Sequence, residues 1–106
     1  MPNRRSTLLE RGLMAFMLKR LPNTEQMLAQ LPTAEVEEMN DGGMVSLLFV
    51  SNKKLRKFGS SIAEIQFDDV DKTPVLASIY LDEEGELFEL DIWKVDFTPL
   101  KRIPVF

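Results

Sequence analysis

Apolar and polar side chains alternate along Leu87-Phe88-Glu89-Leu90-Asp91-Ile92-Trp93-Lys94-Val95-Asp96-Phe97. Successive side chains of a strand point to opposite faces. The spacing therefore predicts a strand with Phe88, Leu90 and Ile92 on one face and Leu87, Glu89, Asp91, Trp93 and Val95 on the other. Ile62–Phe67 shares the two-residue period, with Ala63, Ile65 and Phe67 inward and Glu64 and Gln66 outward. So does Pro74–Leu81, which turns Val75, Ala77, Ile79 and Leu81 inward and Ser78 and Tyr80 outward. Met44–Val50 reads as a mostly buried strand. Thr33–Met39 alternates Ala34 and Val36 with Glu35 and Glu37 and is read as a short edge strand, although the run also suits a helix.

Helical spacing marks the first third of the chain. Leu9, Leu13, Phe16 and Met17 recur at i, i+4, i+7 and i+8, with Leu8, Ala15 and Leu21 widening the stripe, and predict a helix over Ser6–Leu21. Ser6 or Thr7 caps it, with Glu10 at capping-box distance from Thr7, and Arg11, Lys19 and Arg20 form its wet side. A shorter helix is expected over Thr24–Leu31, capped by Asn23, with Met27, Leu28 and Leu31 inward. Turns fall at Asn40-Asp41-Gly42-Gly43, at Asp68–Lys72 and at Asp82–Glu86, while Gly59-Ser60-Ser61 ends a basic connection.

These elements predict an α+β fold in which two N-terminal helices pack on one face of a four- or five-stranded antiparallel meander sheet. One domain fills residues 1–106, with helices about 6–31, sheet about 34–97 and a docked apolar tail at 98–106. Leu100, Ile103, Val105 and Phe106 make that tail too apolar to stay free, and Pro99 and Pro104 keep it out of a central strand.

Composition narrows the chemistry. The chain has no cysteine and no histidine, which removes the Ser-His-Asp and Cys-His constellations and the usual ligands of zinc, copper and haem. Carboxylate, lysine, tyrosine or serine chemistry remains, or an oxygen-ligated hard cation. No apolar run approaches the ~20 residues that span a bilayer, and no signal peptide is read at the N-terminus. Together with the absence of cysteine this predicts a cytoplasmic protein. The net charge of −4 is unevenly spread. Residues 1–20 carry five basic side chains against one acidic, and Lys53, Lys54, Arg56 and Lys57 cluster in the connection. Residues 64–91 hold ten carboxylates against Lys72. An acidic half repels nucleic acid and attracts a basic partner.

The outward positions gather Ser46, Glu64, Gln66, Ser78, Tyr80, Glu89, Asp91 and Trp93 on one sheet face. Of these, Glu64, Gln66, Tyr80, Glu89, Asp91 and Trp93 are the candidate partner-binding residues, since polar groups around an aromatic anchor suit a recognition surface. The competing reading packs Trp93, Leu76 and Leu87 under the apolar tail as a satellite core. Glu89 and Asp91 stand roughly 7 Å apart on one strand face, within the range of an inverting carboxylate pair. Paired carboxylates on a strand are common, and nothing marks a sugar cleft. The Asp68-Asp69-Val70-Asp71 and Asp82–Glu86 turns could hold a hard cation through oxygen, yet both lack EF-hand spacing and read first as acidic turns.

Met39-Asn40-Asp41-Gly42-Gly43-Met44, Phe58-Gly59, Ile62–Asp68 and Gly85–Phe97 resemble a small bacterial family of domains of unknown function. The resemblance covers roughly residues 39–100, and its most specific part is Glu89-Leu90-Asp91-Ile92-Trp93-Lys94. It implies a bacterial, single-domain protein and carries no established activity, ligand or catalytic residue. The overall expectation is a non-enzymatic binding module with no cofactor and no metal, taking a basic protein on its acidic sheet face. Immunity proteins are analogous in shape and charge alone. The alternative is a homodimer formed through the tail or a sheet edge, and a carboxylate-dependent hydrolase is the remote third. No nucleic-acid or membrane partner is expected.

Overall fold

Thr7 starts the first helix. Its hydroxyl accepts the Glu10 amide at 3.2 Å while the Glu10 carboxylate accepts the Thr7 amide at 2.8 Å, closing a capping box. The computed structural model describes residues 3–39, 45–51 and 56–106. Helix α1 spans Leu8–Lys19 and α2 spans Glu25–Gln30. The strands are β1 (Arg4–Arg5), β2 (Glu35–Glu38), β3 (Val45–Phe49), β4 (Phe58–Asp68), β5 (Pro74–Asp82) and β6 (Leu87–Lys94). The predicted Asn40–Gly43 turn, and Lys53 and Lys54 of the basic connection, lie outside the described residues.

All strand pairs are antiparallel, in the order β1-β2-β3-β6-β5-β4. The fold is α+β, as its periodicities require, but among the described residues the sheet has six strands rather than four or five. The extra one is β1, whose Arg4 pairs with Val36, so β2 is a strand one place in from the edge. Nor is the sheet a simple meander. β1, β2 and β3 follow one another in space, as do β4, β5 and β6, but β3 pairs with β6 rather than with β4. Burial explains the placement: Leu90 and Ile92 of β6 are wholly excluded from solvent, so β6 takes the centre with a neighbour on each side.

The inner face collects Val36, Leu47, Phe49, Val75, Ala77, Ile79, Leu81, Leu90 and Ile92 in one cluster with Leu13, Met14, Met17 and Leu18 of α1. Two inward assignments change. Leu81 pairs with Leu87 while Tyr80 pairs with Glu89, leaving Phe88 as the extra residue of a β-bulge. The bulge turns Leu87 into the core and leaves Phe88 half-buried, the reverse of strict alternation. On α1 the buried stripe is Glu10, Leu13, Met14, Met17 and Leu18, and Phe16 lies outside it. Thr24, not Asn23, stands at the N-cap of α2, and Asn23 instead has a left-handed φ of 63°. The Thr24 hydroxyl donates back to the Leu18 carbonyl at 2.8 Å, sealing the end of α1.

The tail docks within its own chain. Ile103 is buried, and the Phe106 ring lies 4.9 Å from Phe16 and 5.7 Å from Phe67, between α1 and β4. The satellite core expected beneath it does not form: Leu87 joins the main core and Trp93 stacks on Phe97 at 5.7 Å.

Gly59, expected to interrupt the chain, sits inside β4 beside a bulge. A β-carbon there would stand 2.3 Å from the Asp82 carbonyl oxygen and 2.6 Å from its carbonyl carbon, both backbone. Gly59→Ala is expected to lower stability by about 1–3 kcal/mol in urea denaturation. An unchanged midpoint would contradict this close approach.

Candidate functional site

The strand registers decide what the outer face presents. Ser46, Asp91, Ser78 and Glu64 form one row across β3, β6, β5 and β4. Glu37, Leu48, Glu89, Tyr80 and Ser61 form the next, and Trp93, Leu76 and Gln66 a third. All six candidate residues, Glu64, Gln66, Tyr80, Glu89, Asp91 and Trp93, therefore share one face. Ser46 and Ser78 are buried between the longer side chains; Ser46 Oγ donates to Glu89 at 3.4 Å and Ser78 Oγ to Glu64 at 3.2 Å. The serines thus hold two of the carboxylates in place.

An aromatic pair marks each end of this face. Phe58 meets Tyr80 edge-on at 5.3 Å, and Trp93 stacks on Phe97 with 20° between ring planes. Phe58 is 59% exposed and Phe97 74%. The Tyr80 and Leu76 rows are four residues apart along β5, so the two pairs stand roughly 13 Å apart with the carboxylates between. The face thus carries apolar rings at both ends and carboxylates in the middle.

Both acidic turns bind a cation, and in each case the chain supplies it. The Lys94 side chain is fully enclosed, with Nζ 3.0 Å from Asp69 and 2.8 Å from Asp71. The Asp69 carboxylate also accepts the amides of Val70, Lys101 and Arg102 at 2.7, 2.7 and 3.1 Å. Burial works against its charge, but the Lys101 amide, the Lys94 ammonium and the Val70 amide outweigh it and hold Asp69 below the ordinary carboxylate range. Asp71 is lowered to about 2, first by the Lys94 hydrogen bond and then by the Thr73 amide. Lys94 is raised in turn by Asp71, against burial and with help from Asp69.

In the next turn Asp82 accepts the Glu84 and Glu86 amides at 2.9 and 3.0 Å and the Arg56 Nε at 3.0 Å. Arg56 also donates to the carbonyls of Phe49 and Leu87 and lies 5.1 Å above the Phe88 ring. Sequence reading passed over both clusters. The signal for the first was there: Lys94 continues the inward parity of Leu90 and Ile92, and a lysine on a core face requires a carboxylate. Among the described residues, no three metal-ligating side chains come together.

The family model described as a domain of unknown function, DUF6984, matches residues 3–104. The chain belongs to the DUF6984 family. The match takes in α1 and the tail as well as the central region on which the resemblance rested. Every element of the DUF6984 fold described above therefore lies within the family's span. No curated protein and no solved structure matches the chain.

The pKa depressions set an acid limit on the Lys94 cluster. Carboxylates lowered on folding stabilise above their ordinary value of 3.8, and that contribution is lost as pH falls through about 2 for Asp71. The urea midpoint should fall steeply across this window. An Asp71→Asn variant should be less stable at neutral pH and show a shallower acid slope. Parallel profiles for the two proteins would contradict the assignment.

Proposed function

We propose that this domain is a non-enzymatic binding module of the bacterial cytoplasm that holds a basic protein segment on the outer face of its sheet. One observation supports the reading above the others. The six candidate residues share a face with two aromatic pairs whose outer members, Phe58 and Phe97, are exposed. Large rings next to anchored carboxylates supply both the apolar contact area and the charge complementarity that recognition of a cationic partner uses. A hydrolase working through Glu89 and Asp91 rests on their spacing alone.

A second reading has one feature in its favour. The sheet ends on one side in β1, two residues long and carrying Arg4 and Arg5, and on the other in β4, eleven residues long. A long edge invites pairing with a second copy, although the two register shifts in β4 oppose it. The tail is the weaker route to a dimer, since Ile103 is buried in the core of its own chain.

Affinity capture from the native host separates these readings. The wild type is expected to retain a basic protein, to release it as salt rises, and to lose it when Glu89→Lys and Asp91→Lys are combined in a folded variant. Capture unaffected by that double change would move the contact off this face. Light scattering that reports a dimer, with no other protein bound, would favour the β4 edge.

A further inference from the structure

Helix α1 carries apolar side chains on its solvent side as well as its buried side. At 100° per residue, Leu8, Gly12, Ala15, Phe16 and Lys19 fall on one stripe opposite Leu13, Met14, Met17 and Leu18. Leu8 is 78% exposed and Phe16 40%, and the tail lays Phe106, itself 40% exposed, beside Phe16. Gly12, Ala15, Phe16, Lys19, Arg20 and Phe106 enclose a shallow cleft of about 340 Å³. Arg20 lies 5.7 Å over the Phe16 ring. Among the described residues no carboxylate comes within ion-pair distance of Lys19 or Arg20, whereas Arg4, Arg56 and Lys94 all have one.

A favourable interaction with the helix dipole accounts for two cations at the end of α1. It does not account for an exposed leucine and two exposed phenylalanines beside them. We infer that this surface docks the domain on an anionic lipid membrane, with α1 lying in the plane of the headgroups. Leu8, Phe16 and Phe106 enter the acyl boundary, while Lys19 and Arg20 reach the lipid phosphates. Charge decides against a second copy bound through the same face, because Lys19 and Arg20 of both copies would then be gathered in one contact. It also orients the molecule. Glu37, Glu64, Asp68, Glu89 and Asp91 lie on the outer sheet face, across the sheet from α1, and are repelled by the lipid surface. The expectation of no membrane partner rested on the lack of a spanning segment, and docking in the interface needs none.

Co-sedimentation with vesicles tests the assignment. Wild-type protein at low salt should pellet with equimolar phosphatidylcholine and phosphatidylglycerol, remain soluble with phosphatidylcholine alone, and dissociate as salt is raised. Combining Lys19→Glu with Arg20→Glu should weaken binding by about tenfold or more. Leu8→Ser with Phe16→Ser, changes at exposed positions checked for folding by circular dichroism, should do likewise. Wild type that stays in solution with the anionic vesicles overturns the inference, as does binding that both double variants retain. Capture of an acidic protein through these residues without vesicle binding would assign the surface to that protein and overturn it equally. None of these outcomes bears on the sheet face, whose own variants report separately.

Discussion

The Lys94 ammonium is enclosed at the end of the central strand, and an enclosed charge is tolerated only when compensated. Its partners come from elsewhere in the chain. Asp69 and Asp71 lie in the β4–β5 turn, and the same Asp69 carboxylate takes the Lys101 and Arg102 amides at the start of the docked tail. One ion cluster therefore fixes the turn, the end of β6 and the entry of the tail. From that anchor the tail runs on to place Phe106 against Phe16 and Phe67. An apolar side chain at residue 94 would fill the space but would leave Asp69 enclosed with no opposing charge.

The same device recurs at the other places where a segment has little core of its own. Arg56 ties the connection between β3 and β4 to Asp82 and to the carbonyls of Phe49 and Leu87. Arg4 bridges Glu10 of α1 and Glu38 of β2, which holds the two-residue β1 against the sheet. Glu10 is the first of the influences that raise the Arg4 pKa, which burial opposes and Glu38 reinforces. The acidic composition is thus partly structural. Carboxylates that look like solvated turns serve as anchors for buried cations.

What remains for interaction is divided between two layers. The outer sheet face combines carboxylates with aromatic pairs, and the outer side of α1 combines exposed apolar side chains with cations. Hydrophobic side chains on a soluble surface cost solubility and are seldom grouped without use. Here they are grouped on both layers, beside charge of opposite sign, which gives the domain two chemically distinct surfaces across the sheet from each other.

The sequence by itself determined the α+β class, the existence and order of the main elements, the capping box at Thr7 and Glu10, and the common face of Glu64, Gln66, Tyr80, Glu89, Asp91 and Trp93, but not the full length of β4. Alternation and helical spacing are local properties of the backbone, so they survive whatever the rest of the chain does. Tertiary structure alone decided that β3 pairs with β6, that Phe88 bulges and Leu87 turns inward, and that Phe16 faces outward to meet Phe106. It also decided that the two acidic turns close on Lys94 and Arg56. Each of these depends on which distant residue arrives alongside, more than twenty positions away for Lys94 and Arg56, and a local pattern holds no record of that.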